Sequence, residues 1–459
     1  MSSKYGALSP LDSVYKRHTS EIPRYLSNYA LTSNRILVEV RWVQHLVKLG
    51  ITPVKELSRE VNEFLDSLKD ISEDGMRIIE ELNSVTRHDV KAVEYYIRKR
   101  FEESGYDDLI LLMPWIHMFC TSEDINSPAH STGIRDCMDH LIKPLMLNII
   151  NSLAKLSVEH ASKPMLSRTH GQPASPTTFG KEMAIYTYRL SQQYKKYIDK
   201  IEYFGKFGGA VGNFNVHFVA FPDLDWPSIA KSFVEDLNLT YQPYSTQIEC
   251  HDYISELSDS IARFNTILKD MCVDMWLYLS HDLLKLKNVK GEVGSSTMPH
   301  KINPIHFECA EGNIGLANSL FSFFSSKLPT SRMQRDLSDS TVLRNIGTAM
   351  GYSVVAYKSI ITAFERVDFN AEKALQELEN NYAVLSEPTQ VVLKMMGRSD
   401  AFDAVLKFTR GSEVNGEEMK KFIQENCQLS PGMSGITPAS FTGCAEQFAR
   451  NIISFLPNK

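Results

Sequence analysis

Residues 254–275 read ISELSDSIARFNTILKDMCVDM. Apolar side chains recur at Ile254, Leu257, Ile261, Phe264, Leu268, Met271 and Met275, in alternating steps of three and four. A half-buried strand would alternate every second residue. A 3.5-residue repeat instead lays one apolar seam along a long helix, packed nearly parallel to others. Ile142, Leu145, Ile149, Leu153 and Leu156 repeat the habit, as do Met183, Tyr186, Leu190, Tyr194, Tyr197, Ile201 and Phe204. Long helices with such seams form bundles. The Met and Tyr positions read as core filling rather than as a cofactor pocket.

On either side of this central part the chain changes character. Residues 1–112 read as a small N-terminal helical domain. In it Ile36, Val40, Val43 and Val47 mark one helix face, ended by Gly50 and Pro53. Helical pattern fills roughly 74–103, with a polar knot at 84–91. Residues 113–365 are the long-helix bundle, with 205–250 read as mostly irregular connection. Residues 366–459 hold shorter helical pieces broken by Gly411, Gly416, Pro431, Gly432, Gly435 and Pro438, a small C-terminal domain. No two-period strand run occurs, so the expected fold class is all-α.

The 459 residues suffice for about two to four domains and a large core. Net charge is −6, from 49 basic and 55 acidic residues, which gives no support for nucleic acid as a main partner. A local basic pocket for a phosphate remains compatible with that total. Seven scattered cysteines without a CxxC pair suggest free thiols in a reducing compartment, with neither disulfides nor a zinc site. The polar start 1–10 lacks a signal-peptide core, and no run of 18 apolar residues predicts a membrane span. The cytoplasm is the expected location. The glycines of 205–212 do not match a phosphate loop followed by Lys-Ser/Thr.

Chemistry concentrates in Gly294-Ser295-Ser296-Thr297-Met298-Pro299-His300-Lys301-Ile302-Asn303-Pro304. Gly294 frees the backbone and the prolines restrict it, ahead of an apolar helical segment from Ile305. The stretch supplies hydroxyls, a cation and an amide. A serine becomes a useful base only where a cation and N–H donors stabilise its oxyanion. The residues alone do not say which of the two serines would serve.

This GSS-x-MP-x-K-x-NP pattern resembles the signature loop of the fumarase/aspartase superfamily, whose members eliminate fumarate from succinyl adducts. The resemblance extends through Thr121-Ser122-Glu123-Asp124-Ile125-Asn126, Ser167-Arg168-Thr169-His170-Gly171-Gln172-Pro173 and 331–345. The MPHK form resembles the long bacterial branch acting on adenylosuccinate, rather than the MPGK of fumarases or the MPQK of argininosuccinate lyases.

The resemblance implies a small N-terminal domain, a central bundle and a small C-terminal domain. It also implies a homotetramer whose active sites each combine segments of three subunits, and no metal or organic cofactor. In family terms Ser295 is the general base and His170 the general acid. His88 assists substrate binding and catalysis. Lys301 and Asn303 hold carboxylate and stabilise the serine oxyanion. Ser296, Thr121, Ser122 and Gln247 contact substrate, and Arg335, Ser340 and Arg344 meet the nucleotide and its phosphate. Tyr15 and Arg87 belong to the same set, and Asp89 is placed to fix the His88 tautomer. His45, His117, His217 and His251 read as structural.

One departure stands out. Bacterial relatives often carry Gly-Arg-Tyr after Pro-x-Asp, whereas Asp12 here is followed by Ser13-Val14-Tyr15. Arg87, Lys16 or Arg17 is expected to replace the missing cation. The expected reaction is release of fumarate from adenylosuccinate, giving AMP, and from the succinyl-aminoimidazole-carboxamide ribotide. The alternatives are another lyase of the superfamily, such as one for argininosuccinate, a non-catalytic scaffold of the same fold, or a phosphate-binding transferase.

Overall fold

The structure is a computed structural model that describes residues 6–291, 294, 296–411, 414–427 and 430–457. The expected all-α class holds. The long helices include Asn28–Lys48, Ser122–Cys137, Lys143–Glu159, Phe179–Lys196, Asp252–Ser280, Ile305–Lys327 and Ile346–Glu365. All seven seam residues of Asp252–Ser280 are at most 2% exposed. The 3.5-residue repeat thus marks a buried stripe, while Glu256, Lys269 and Asp270 stay on the exposed face.

Contacts divide the chain into two compact units, each drawn from three separated segments. Unit 1 is Met1–Leu145, Tyr197–Arg263 and Asn313–Val355; unit 2 is Met146–Lys196, Phe264–Gly312 and Ala356–Lys459. Within unit 1, Ile36, Val40, Val43, Val93, Phe101 and Leu109 belong to one apolar cluster. Its first helix, Asn28–Lys48, starts at Ser27, whose hydroxyl accepts from the Ala30 N–H. Within unit 2, Leu385, Leu393, Val405, Met419 and Ile423 form a second cluster. The Phe408 and Phe422 rings stack beside it, 4.2 Å between centroids.

Several local expectations needed correction. The described residues hold three two-stranded pairs where no strand was expected. Pro164–Thr169 pairs antiparallel with Gln172–Thr178, Phe204–Gly205 pairs parallel with Thr240–Tyr241, and Leu284–Leu286 pairs antiparallel with Val367–Phe369. All are short: the first is largely polar, the second has two residues a side, and the third alternates apolar and polar side chains over three residues only, too few to read as a strand. The connection expected to be irregular contains the helices Asn215–Ala220 and Trp226–Asp236. Asp225 caps the second by accepting from the Ser228 N–H. The seam expected from 183 to 204 leaves the helix after Lys196, so Ile201 and Phe204 belong to other structure.

By length and composition alone, Ser122–Glu159 could cross a membrane. Here Ile125, Ile134, Ile142, Ile149 and Leu153 of this stretch lie in the protein interior, at most 1% exposed. All seven cysteines are thiols outside any disulfide.

Candidate active site

In unit 1 a cleft of about 920 Å³ is lined by side chains from four separate stretches of chain. The Ser122–Cys137 helix forms one wall. Thr121 precedes it, and the Thr121 N–H donates to Asp124 Oδ2 at 2.8 Å. Asp124 is fully buried. Lys206 Nζ lies 2.7 Å from it, and the Gly208 N–H donates to it at 2.8 Å. An unpaired carboxylate there would cost several kcal/mol, so Lys206 is what permits this helix start. Ser122, Glu123, Asn126, His130 and Gly133 of the helix face the cleft.

The opposite wall starts from Arg35. Its Nε donates to Asn126 Oδ1 at 2.8 Å, and its Nη2 donates to Asp89 Oδ2 at 2.7 Å. Burial opposes ionisation of Asp89, but Arg35 outweighs it and holds the carboxyl below its ordinary range. Asp89 is therefore committed to Arg35 and to the Val90 N–H. The His88 tautomer is set elsewhere: Nδ1 accepts from the Lys91 N–H at 3.2 Å as the cap of Asp89–Glu102. In the neutral ring the proton then sits on Nε2, a donor available to a ligand. Arg87 precedes it with φ 51°, ending Glu73–Thr86 in the left-handed conformation.

The third part is 335–344. Arg335 Nη2 lies 2.9 Å from Glu123, and Nη1 donates to Gln247 Oε1 at 3.2 Å. The Ser340 N–H donates to Asp339 Oδ1 at 2.7 Å. Arg344 lines the cleft and has no carboxylate partner among the described residues. His251, read from sequence as structural, is buried with its ring edges 3.4 Å from Glu249 and 3.5 Å from Asp339. Burial lowers its basicity, but these two carboxylates overcome that and hold it protonated, with a pKa raised to about 9. His130 shows the converse. Burial, with Arg35 and His251 nearby, lowers its pKa to about 3 and keeps it neutral.

Unit 2 carries the other candidates. His170 and Gly171 form the two-residue turn of the Pro164–Thr169/Gln172–Thr178 hairpin, with φ of 54° and 73°. Two positive φ values suit the twist of such a hairpin, and they leave the imidazole exposed at its tip. In the signature loop, Asn303 Nδ2 donates to the Gly294 carbonyl at 2.7 Å, tying the two ends together. A Cβ at Gly294 would stand 2.2 Å from the Lys301 carbonyl oxygen, so the backbones meet where only glycine fits. Ser296 and Lys301 are exposed. Ser295 lies outside the described residues.

The expected residues thus fall into two sets. Arg87, His88, Asp89, Ser122, Arg335, Ser340 and Arg344 line one cleft. Thr121 starts its wall helix, and Gln247 is bound to Arg335. His170, Ser296, Lys301 and Asn303 belong to unit 2. Tyr15, Lys16 and Arg17 do not line the cleft, whereas Arg87 does. Sequence reasoning missed Arg35, Asn126, His130 and His251. The spacing of Ser122, Asn126, His130 and Gly133 on one helix face was a usable signal for two of them.

Residues 7–316 match the lyase family model, and residues 331–442 match the adenylosuccinate lyase C-terminal model. The chain is 43% identical over 445 residues to an adenylosuccinate lyase of Vibrio cholerae, covering 96% of this chain and 97% of that one. It is 42% identical over 452 residues to an adenylosuccinate lyase of Escherichia coli, covering 96% and 98%. The fold is similar to that of a 3-carboxy-cis,cis-muconate lactonizing enzyme from Pseudomonas putida, with a TM-score of 0.77 at 19% identity, covering 96% and 98%. On these grounds the chain belongs to the adenylosuccinate lyase family of the fumarase/aspartase superfamily.

Proposed function

We propose that this protein cleaves adenylosuccinate to AMP and fumarate, and the succinyl-aminoimidazole-carboxamide ribotide to its carboxamide ribotide and fumarate. The observation that carries the reading is the unit 1 cleft, where Arg344 and the rim residue Arg87 offer cationic groups to a nucleotide phosphate beside Arg335, Ser340 and His88. A substrate with carboxylates alone would not need such a set.

The reaction needs a proton removed from the succinyl carbon next to a carboxylate. The charge then develops on that carboxylate as an aci-carboxylate. The C–N bond breaks with its electron pair on nitrogen, which is protonated as it leaves. Ser295 removes the proton, Lys301 and Asn303 stabilise the anionic oxygens, and His170 protonates the nitrogen. His88, with Nε2–H as donor, orients the substrate together with Ser296, Thr121, Ser122 and Gln247. Tyr15 completes the nucleotide contacts, and Arg87 supplies the cation missing at Val14.

The same proposal includes a cytoplasmic homotetramer with sites built from three subunits. Exposed apolar side chains on the long helices support it: Ile185, Tyr188, Val273, Trp276, Leu277, Leu316 and Phe323 are surface that a single chain leaves to water. A three-domain division at 112 and 365 also belongs to it, supported by the separate apolar clusters within 36–116 and 385–433.

The test is fumarate release from adenylosuccinate by the purified protein, Ser295→Ala and His170→Ala. Wild-type release with kcat losses of roughly 10³-fold in both variants is the expected result. A wild type active only on argininosuccinate or aspartate would overturn the substrate; inactivity on all of them would overturn the enzyme reading.

A further inference from the structure

His251 has the surroundings of a working residue without any ligand role in the proposed reaction. It adopts φ 61°, a left-handed conformation uncommon for a residue with a side chain. The turn is held from both ends. Its N–H donates to Glu249 Oε2 at 2.8 Å, and its carbonyl accepts from the Ile254 and Ser255 N–H groups at the start of Asp252–Ser280. The ring is thereby aimed at Asp339, in the short helix Ser338–Leu343. Nε2 and Asp339 Oδ2 face each other at 3.5 Å, both buried and off the axis of a hydrogen bond. Their attraction is therefore one of charge.

Each end of this bridge leads to the cleft. Glu249 lies two residues beyond Gln247, which is bound to Arg335 through Oε1 and to the Gln334 carbonyl through its N–H. Asp339 accepts from the Ser340 N–H, and Arg344 follows the same helix. The segments 247–251 and 339–344 are some ninety residues apart in sequence, and His251 is the side chain placed between their carboxylates.

We propose that His251 is a positioning residue: as a cation held between Glu249 and Asp339, it fixes the Gln247 segment against the Ser340–Arg344 segment so that both meet one nucleotide in register. The inference rests on the reading of the cleft as the nucleotide site. The other groups facing the bridge are His130 from the Ser122–Cys137 helix, Tyr253 near Glu249, and Arg335 near Asp339. His130 stays neutral and adds no competing charge. A neutral His251 would leave the buried Glu249 and Asp339 carboxylates without the cation between them, with Arg335 near Asp339 as the remaining positive neighbour.

The pH dependence follows in sign. The folded pKa of His251 is raised, from 6.5 to about 9. Its contribution is therefore complete below the unfolded value and is lost as pH rises through about 9. KM for adenylosuccinate is expected to rise over that range in the wild type.

The test is steady-state kinetics on adenylosuccinate from about pH 6.5 to 10, with AMP affinity measured by calorimetry on the same proteins. His251→Gln should raise KM and weaken AMP binding by roughly ten-fold near neutral pH, with kcat changed much less and no further rise in KM through the alkaline range. His251→Lys, which keeps a cation, should restore KM near neutral pH and move the alkaline rise upward. A KM and AMP affinity for His251→Gln within about two-fold of wild type, or an unaltered alkaline rise in that variant, would overturn the proposal. Should His251→Gln not fold, an alkaline rise in His251→Lys at the wild-type position would overturn it. A wild type that releases no fumarate would instead overturn the catalytic reading, and AMP affinity would still decide the role of His251.

Discussion

The unit 1 cleft and the signature loop are built in opposite ways. In the cleft, several polar groups are held by partners distant in sequence: Arg335 by Glu123, Arg35 by Asp89 and Asn126, Asp124 by Lys206. Among the described residues Arg344 is left without a carboxylate, facing the space a ligand would take. The loop has little of this. Its side chains Ser296 and Lys301 are exposed, and its contacts include the Asn303 amide–Gly294 carbonyl bond, the Lys301 N–H–Met298 carbonyl bond and a close backbone approach at Gly294. A binding surface that must present charge to a phosphate gains from rigid, pre-paired neighbours.

The comparison can be broken from either side. The largest effect is expected in the cleft. Glu123→Gln leaves the half-buried Arg335 guanidinium without its counter-ion and should lower stability by about 3 kcal/mol, read by urea unfolding. A change within about 0.5 kcal/mol would mean that Arg335 is held by Gln247 and solvent alone. Next is Gly294→Ala, whose Cβ would meet the Lys301 carbonyl oxygen at 2.2 Å. It should lower kcat on the order of 100-fold through displacement of the loop, with AMP affinity unchanged. If AMP affinity fell in parallel, the loop and the cleft would not be separable in function.

The smallest effect sharpens the comparison at the rim. Arg87 is exposed and already in a left-handed conformation, which asparagine tolerates well. Arg87→Asn therefore removes charge without disturbing the end of Glu73–Thr86. KM for adenylosuccinate should rise roughly five-fold with unchanged melting temperature. An unchanged KM would exclude Arg87 as the substitute for the cation missing at Val14.

Periodicity made the long helices legible. Ile254 to Met275 predicted a buried seam, and every member is buried. The hairpin 164–178 was not legible, because its strands are short and polar and their pairing depends on the His170–Gly171 turn. The end of the Phe179–Lys196 helix was missed for a related reason. Tyr197, Ile201 and Phe204 continue the spacing although the backbone does not.

Within the cleft, contiguous motifs were readable because each holds its chemistry inside a few residues: Arg87-His88-Asp89, Thr121-Ser122 and 335–344. What they bind to was not. Asp89 stands beside His88 in the chain, yet its carboxylate belongs to Arg35, fifty-four positions away. His251 is one of thirteen histidines in the sequence, and only the fold sets Asp339 opposite it.

The amino-acid sequence by itself determined the helical class, the signature loop and the residue types at each candidate position, because these depend on neighbours within a turn or two. Only the tertiary structure decided which charges are paired, which histidine is a cation and which a neutral ring, and which arginine is left facing the cleft. Those outcomes depend on desolvation and on partners brought together from distant segments, and no local pattern encodes either.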